Sequence, residues 1–162
     1  MIFVTVGTQK FEFNRLLIKM DELVESGIID EDVFAQTGVC SYKPKHYAYK
    51  TFMPKDIMNG WMEKADVVVT HAGTGVIMTA LRMGKKVVAV PRRAELGEHV
   101  DNHQHEIADV LGSKGIIEPV YDIDKLGEAI KKAKVTEYKQ YESTRKQVVE
   151  QLDAWIQEFR GA

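Results

Sequence analysis

The chain has 162 residues, of which 44% are hydrophobic and 28% are charged, a composition typical of one ordinary globular domain. A formal net charge of −2 gives no reason to expect a nucleic-acid partner. The single cysteine, Cys40, excludes an internal disulfide, and no apolar run reaches the roughly 18 residues of a membrane-spanning helix. We therefore expect one cytoplasmic domain over residues 1–162, without a secretory signal at its start.

Short apolar segments alternate with helical patterns along the chain. The apolar segments predict strands at residues 2–6, 32–37, 47–52, 66–70, 86–90 and 116–120. The helical patterns predict helices at residues 14–24, 55–64, 76–83, 100–111, 124–132 and, as a long terminal helix, 137–160, with Asn14 as the N-cap of the first. This alternation predicts an α/β fold, with a Rossmann-like parallel sheet flanked by helices, because each helix can cross back right-handedly to the next strand.

Two glycine-containing loops follow predicted strands, at the edge where such sheets bind ligands. They are Gly7-Thr8-Gln9 and His71-Ala72-Gly73-Thr74-Gly75. Glycine lets the backbone approach a ligand, and the helix after the second loop presents free N–H groups and a positive dipole end to phosphate. The same pattern also suits a tight turn with no ligand, so the glycines leave both interpretations open.

The spacing argues against the common nucleotide-binding fingerprints. Gly73-Thr74-Gly75 provides Gly-x-Gly, but the third glycine of a dinucleotide site would fall at Met78, and no lysine has Walker A spacing. Arg92 and Arg93 follow the next predicted strand and are interpreted as surface side chains or as diphosphate contacts.

A third polar segment, Gly97 to His105, contains three histidines in nine residues. His99 and His103 are four residues apart on a predicted helix, which is one way to bind a metal, but a third fixed ligand is missing from the pattern. Residues 101–104 offer carboxylate, amide and imidazole groups that suit hydrogen bonding to sugar hydroxyls. A polar helix start with Asp101 in its first turn explains the segment equally well.

Together, three segments resemble the C-terminal domain of family-28 glycosyltransferases. They are Phe3–Thr8, Ala65–Gly75 and Gly97–Gln104, and the resemblance covers roughly residues 1–120. The small stand-alone members are the most similar. One type is the catalytic subunit of the two-subunit enzyme that adds the second N-acetylglucosamine to a dolichol-linked sugar. The chain is more similar to its bacterial counterparts in exopolysaccharide and capsule synthesis, which share the run Gly-Glu-His-x-x-x-His-Gln.

The resemblance implies a GT-B architecture, in which two Rossmann-like halves face each other across a cleft, and this chain corresponds to the donor-binding half. Thr79 stands where many relatives carry a glutamate that binds the ribose, so a weaker ribose contact is expected from its hydroxyl. The donor-binding residues implied by the resemblance are Gly7 and Thr8 at the cleft, His71, Gly73, Thr74 and Gly75 at the diphosphate, Thr79 at the ribose, and Asn102, His103 and Gln104 at the sugar and ribose.

The implied activity is inverting transfer of a sugar from a UDP-sugar to a lipid-linked acceptor. No metal or other cofactor is expected if the helix dipole and His71 neutralise the leaving diphosphate. The general base is expected in a membrane-associated partner subunit, which would hold this chain at the membrane, and the chain alone is expected to be inactive. Galactose, glucuronic acid and N-acetylglucosamine remain candidate sugars, with galactose favoured. The alternative is a non-catalytic module that enhances a partner transferase.

Overall fold

The computed structural model describes residues 1–140 and residue 154. Its sheet is formed by β1 (Ile2–Thr5), β2 (Val33–Gln36), β3 (Ala48–Lys50), β4 (Val67–His71), β5 (Lys86–Val90) and β6 (Glu118–Pro119). All neighbouring strands are parallel, in the order β3-β2-β1-β4-β5-β6. This order confirms the predicted Rossmann-like α/β fold. The direction of winding reverses between β1 and β4, and a crevice for ligands is therefore expected at their carboxyl ends.

Helices cover both faces of the sheet. They are α1 (Asn14–Glu25), α2 (Lys55–Lys64), α3 (Thr74–Arg82), α4 (His103–Ser113) and α5 (Leu126–Val135), with short 3-10 turns at Ala94–Leu96 and Ile123–Lys125. The helices α1 and α5 pack on one face, whereas α2, α3 and α4 pack on the other. Because both faces are covered, alternate residues of each central strand enter opposite cores, and these strands are mostly apolar.

Each helix contributes one apolar stripe to its core. The helix α1 buries Leu16, Leu17, Met20 and Leu23 against one face of the sheet. The helix α3 packs on the opposite face through Ile77, Met78, Ala80 and Leu81. Complete burial of such a side chain stabilises the fold by roughly 1.5–3 kcal/mol. The buried stripe of α3 therefore fixes this helix beside the crevice.

Some predicted boundaries were wrong, and in three cases a side-chain contact or a special residue explains the difference. Phe13, not Asn14, occupies the N-cap position of α1, and Asn14 Oδ1 accepts a hydrogen bond from Tyr42 N at 3.1 Å. The helix α4 begins three residues later than predicted, because Asp101 Oδ1 accepts from His103 N in a local turn. The strand β6 is short, since Pro119 has no N–H to donate at this edge of the sheet.

The predicted terminal helix at residues 137–160 falls mostly outside the described residues. The helix α5 ends at Val135, and residues 136–140 are not helical. The predicted start at residue 137 was therefore wrong. Beyond residue 140 only Ala154 is described, so the rest of the helix stays a prediction. No helix within the described part of the chain is both long enough and apolar enough to cross a membrane.

Candidate functional site

The loops after β1 and β4 meet at the carboxyl edge of the sheet, where the winding reverses. His71 ends β4 and is only 4% exposed. A Cβ at Gly7 would lie 2.4 Å from His71 Nε2, and one at Gly73 would lie 2.3 Å from His71 Cε1. Both glycines therefore make room for the imidazole ring, a contact that sequence-based prediction missed. At Gly75, in contrast, a Cβ would meet open space.

Gln104 holds His71 from the start of α4. Its Nε2 lies 3.0 Å from His71 Nδ1, and its Oε1 accepts from the backbone N–H groups of Ala72 and Arg92 at 3.1 Å each. Burial and, to a smaller extent, the nearby positive charge of Arg92 lower the pKa of His71 to about 3, although the contact with Gln104 opposes the shift. His71 is therefore neutral near pH 7. It can donate a hydrogen bond to a phosphate, but it does not supply the positive charge that the sequence suggested.

Two cavities open at this edge of the sheet. We call them the large cleft, with a volume of about 700 Å³, and the small cavity, with a volume of about 380 Å³. The large cleft lies between the loop after β1 and the helices α2 and α3, and the small cavity lies beside the segment that leads into α4. Gln9, Gly73 and Thr74 line both cavities, and we call these three residues the junction. The two cavities therefore adjoin each other at the junction.

The electrostatics of the junction favour an anion. Thr74 is the first residue of α3, and the first turn of this helix contains no acidic residue. The free N–H groups of that turn and the positive end of the helix dipole point towards the junction. Lys55 and Arg82 line the large cleft, and its lining includes no carboxylate among the described residues. Together these groups make a phosphate or diphosphate the expected occupant.

Most residues singled out in the sequence do line these cavities. Asn102 does not, because its Oδ1 accepts from Ala94 N at 2.9 Å in the loop before α4. The Thr79 hydroxyl donates to Gly75 O at 2.8 Å, so only its oxygen lone pairs remain for a ribose. The large cleft is lined by Gly7, Thr8, His71, Gly73, Thr74, Gly75 and Thr79, and the small cavity by Gly73, Thr74, His103 and Gln104.

Gln104 contacts the protein where a sugar contact was expected. It is 3% exposed, and its carbonyl oxygen is saturated by two backbone donors. One amide N–H faces His71, which leaves only the second N–H for a ligand in the small cavity. The direct sugar contact of Gln104 stays a prediction, and only this second N–H group is left to make it.

Gln9 belongs to the first of the two predicted loops, but it is not among the donor-binding residues that the resemblance implies. It lines both cavities, and its Oε1 is buried without a hydrogen-bond partner among the described residues. Such a buried acceptor is costly unless a ligand or water satisfies it. The available signal was its position directly after Gly7 and Thr8 at the carboxyl end of β1. The region from the end of β3 into α2 was missed: Met53 from the connection and Met58 and Asn59 from α2 line the large cleft.

Arg92 is a buried structural residue, and its interpretation as a surface or diphosphate-binding side chain was wrong. It is 0% exposed, and its guanidinium donates to the carbonyl oxygens of Val6, Phe11 and Glu98. It also lies over the Phe13 ring, 5.0 Å from the centroid. These contacts tie the loop after β1 to the loop after β5 and thereby shape the crevice.

Metal binding by the histidines of residues 97–105 finds no support in the geometry. Within residues 1–140 and residue 154, no group of three or more His, Cys, Asp and Glu side chains is placed to hold a metal ion. The side chain of His99 instead pairs with Asp101, with 3.2 Å between Nδ1 and Oδ1.

A Rossmann-like parallel sheet, with the N-terminus of α3 beside two neighbouring cavities at its carboxyl edge, is the arrangement expected of a nucleotide-binding domain. The chain belongs to glycosyltransferase family 28, because the C-terminal domain of that family matches residues 1–159. It is therefore a glycosyltransferase domain.

The similar curated proteins are subunits of a sugar transferase. The chain is 40% identical over 72 residues to the UDP-N-acetylglucosamine transferase subunit ALG13 of Yarrowia lipolytica (strain CLIB 122 / E 150), which covers 44% of this chain and 35% of that protein. It is 29% identical over 133 residues to the Homo sapiens protein of the same name, covering 70% of this chain and 10% of the relative. The chain thus spans about a third and a tenth of the lengths of these relatives.

Solved structures show the same fold. A glycotransferase of kitacinnamycin superposes with a TM-score of 0.61 at 21% identity, and the match covers 99% of this chain and 40% of that one. The NMR solution structure of ALG13 superposes with a TM-score of 0.64 at 18% identity, covering 93% and 96% of the two chains. The fold of this chain therefore corresponds to less than half of the larger enzyme and to nearly all of the small subunit.

Proposed function

We propose that this chain is the donor-binding catalytic subunit of a two-component inverting glycosyltransferase that transfers a sugar from a UDP-sugar to a lipid-linked acceptor. The observation that carries the proposal is the junction, where two cavities meet over the N-terminus of α3. A nucleoside diphosphate sugar has the matching order of parts. Its nucleoside would occupy the large cleft, its diphosphate the junction and its sugar the small cavity.

In the proposed reaction the diphosphate leaves the sugar as part of the nucleoside diphosphate. As the bond to the sugar breaks, negative charge grows on the departing diphosphate, beside the first turn of α3 and the side chain of His71. Donors that are already oriented towards this charge stabilise the transition state without further reorganisation. We therefore propose that transfer needs no metal ion, because the helix dipole and these N–H donors take its place. Undiminished turnover in a chelator would support this part of the proposal.

The sugar and the biological setting are finer parts of the proposal. The names of the relatives favour N-acetylglucosamine over galactose and glucuronic acid. The run from Gly97 to Gln104 underlies the resemblance to bacterial exopolysaccharide and capsule enzymes, and we propose that setting for the lipid-linked acceptor. Both assignments can be tested with a panel of UDP-sugars and lipid-linked saccharides.

A second chain is proposed to supply the acceptor site and the general base. The relatives are named as subunits, and the chain corresponds to only 40% of a larger glycosyltransferase structure. We propose that this partner is membrane-associated and that it recruits the chain to the cytoplasmic face of the membrane. Robust sugar transfer by the purified chain alone would contradict this assignment.

The central test is calorimetry of the purified chain with UDP and its sugars, with ADP as the comparison nucleotide. Thr74→Glu places a carboxylate at the first turn of α3 and is expected to abolish binding of UDP by charge repulsion. Thr74→Gln is the matched control, because it adds a side chain of the same size at the same position without the charge. Equal UDP affinity in the two variants would refute the proposed position of the diphosphate.

The same variants separate the catalytic subunit from a non-catalytic enhancer. In a complex with its partner, a donor-binding subunit should lose all transfer activity on Thr74→Glu. An enhancer that binds no donor should retain most of it. Sugar-transfer assays of the reconstituted complex, with binding of the two chains checked by chromatography, decide between these outcomes.

A further inference from the structure

We propose that Gln104 is a positioning residue that fixes the proton of His71 on Nε2, so that a neutral imidazole offers an N–H donor to the ligand. The tautomer follows from the hydrogen-bond network of the protein. Only its consequence for ligand affinity depends on the function proposed above.

The orientation of the Gln104 amide is set by two backbone donors. Its Oε1 accepts from Ala72 N after β4 and from Arg92 N after β5, at 3.1 Å each. Reversing the amide would direct its N–H groups at these two N–H groups and leave both buried donors without an acceptor. The oxygen must therefore face the backbone, and the NH₂ group must face the other way.

The NH₂ group of Gln104 then determines the protonation of His71. Its nitrogen lies 3.0 Å from His71 Nδ1. An amide NH₂ can only donate, so Nδ1 must accept and cannot carry a proton. The neutral ring therefore holds its single proton on Nε2.

The ring of His71 cannot turn away from this arrangement. Gly7 and Gly73 pack closely against it. A Cβ added at Gly7 would lie only 2.4 Å from Nε2, and one added at Gly73 would lie only 2.3 Å from Cε1. A ring flip would also exchange Nδ1 for a carbon atom and break the bond to Gln104. Since His71 lines the large cleft, its Nε2–H lies beside the loop after β1, close to the N-terminus of α3.

The groups that face His71 also keep it neutral. Arg92 after β5 and His99 before α4 both lower the pKa of His71, as does burial. The Glu98 carboxylate is bound to Arg15 at 3.0 Å and to the backbone N–H of Arg93. The loop from Gly7 to Gln9 and the start of α3 contain no charged side chain. Among the described residues, no group around the ring therefore favours a second proton enough to displace the Nε2–H tautomer.

Nuclear magnetic resonance of the full chain with ¹⁵N-labelled histidine tests the tautomer directly. The wild-type protein should show His71 protonated on Nε2 and unprotonated on Nδ1 throughout pH 5.5–8. In Gln104→Glu, a carboxylate oxygen still accepts from the two backbone N–H groups, but the other oxygen now accepts from His71. The proton should therefore move to Nδ1 near pH 8, and the imidazolium should form as the pH falls. A wild-type ring protonated on Nδ1 would overturn the proposal.

Ligand affinity provides the second readout, with UDP-N-acetylglucosamine as the probe because its diphosphate does not titrate in this range. Wild-type affinity should be nearly independent of pH. Gln104→Glu should bind about tenfold more weakly at pH 8, where Nε2 has lost its proton, and should regain affinity towards pH 5.5. Asn102→Asp is the matched control. It makes the same change of charge two residues away, on a side chain that contacts Ala94, and its affinity should not vary with pH in this way.

The two proposals fail separately. Equal pH profiles for Gln104→Glu and Asn102→Asp would refute the role of Gln104 in positioning His71. If no variant binds the nucleotide sugar, even with the partner chain present, but the proton moves between the ring nitrogens as described, the positioning role stands and the proposed function fails.

Discussion

The replacement Gly73→Ala tests whether the glycines of the loop after β4 serve the protein itself or only a ligand. Gly73 has φ −84° and ψ 130°, a conformation that alanine adopts without strain. Only the new Cβ opposes the change, because it would lie 2.3 Å from Cε1 of His71. Carbon atoms in contact are normally about 3.5–4.0 Å apart, so the ring would have to move by at least about 1 Å.

This displacement has a cost that can be bounded from the contacts. Moving the ring breaks its bond to Gln104 and leaves buried polar atoms unpaired, at roughly 1–3 kcal/mol. Overpacking in a buried site adds about 1–3 kcal/mol. We therefore expect Gly73→Ala to lower the free energy of unfolding by about 2–6 kcal/mol. UDP binding should weaken in parallel, because the imidazole no longer holds its position beside the large cleft.

The measurement is urea unfolding followed by far-ultraviolet circular dichroism, with Gly75→Ala as the control. Position 75 lies within α3, and a Cβ there meets open space. Alanine in a helix is about 0.5–1 kcal/mol more stable than glycine, so this variant should unfold at slightly higher urea than the wild type. If both variants unfold at or above the wild-type midpoint, the packing of His71 between the glycines is refuted.

Three further changes test other parts of the site and its support. Gln9→Ala removes a buried, unpaired carbonyl at the junction, so calorimetry should show at least about tenfold weaker binding of UDP-sugars, while the stability of the free protein should be equal to or higher than that of the wild type. Arg92→Met leaves three carbonyl groups without their donor, and urea unfolding should show a loss of about 3 kcal/mol or more. Burial disfavours the charge on Asp21, but hydrogen bonds from Tyr42, Lys45 and His46 prevail and lower the pKa of its carboxyl. The charged Asp21 carboxylate therefore stabilises the folded protein fully above about pH 3.9, the pKa of an aspartate in the unfolded chain. This stabilisation is lost as the pH falls through the lower pKa of the folded protein, and it should be absent in Asp21→Asn.

Each of these expectations can fail in a distinct way. Wild-type affinity in Gln9→Ala would show that its buried carbonyl has no role towards the ligand. Wild-type stability in Arg92→Met would show that the ties between the loops after β1 and β5 contribute little. Parallel curves of stability against pH for the wild type and Asp21→Asn, measured by urea unfolding from about pH 3 to neutral pH, would contradict the role of that carboxylate.

Regular elements could be predicted because their signal is local. The helix α2 and the strand β5 begin and end at the predicted residues, since apolar spacing and flanking Pro54 and Pro91 mark them within a few positions. The alternation of strands and helices likewise predicted the parallel sheet. Boundaries such as the start of α4 depended instead on single hydrogen bonds between side chain and backbone, which leave no periodic pattern in the chain.

The sequence by itself determined the α/β fold, the glycine turn at the end of β4 and the family to which they belong. Only the tertiary structure decided which groups face a ligand and which support the protein. His71 and Gln104 are 33 residues apart, and Arg92 is 86 residues from Val6, so no local pattern reports either contact. The strand order brings these residues together at one edge of the sheet. The sequence suggested a sugar contact for Gln104 and a diphosphate contact for Arg92. In the folded protein Gln104 positions His71, and Arg92 holds the loops that shape the crevice.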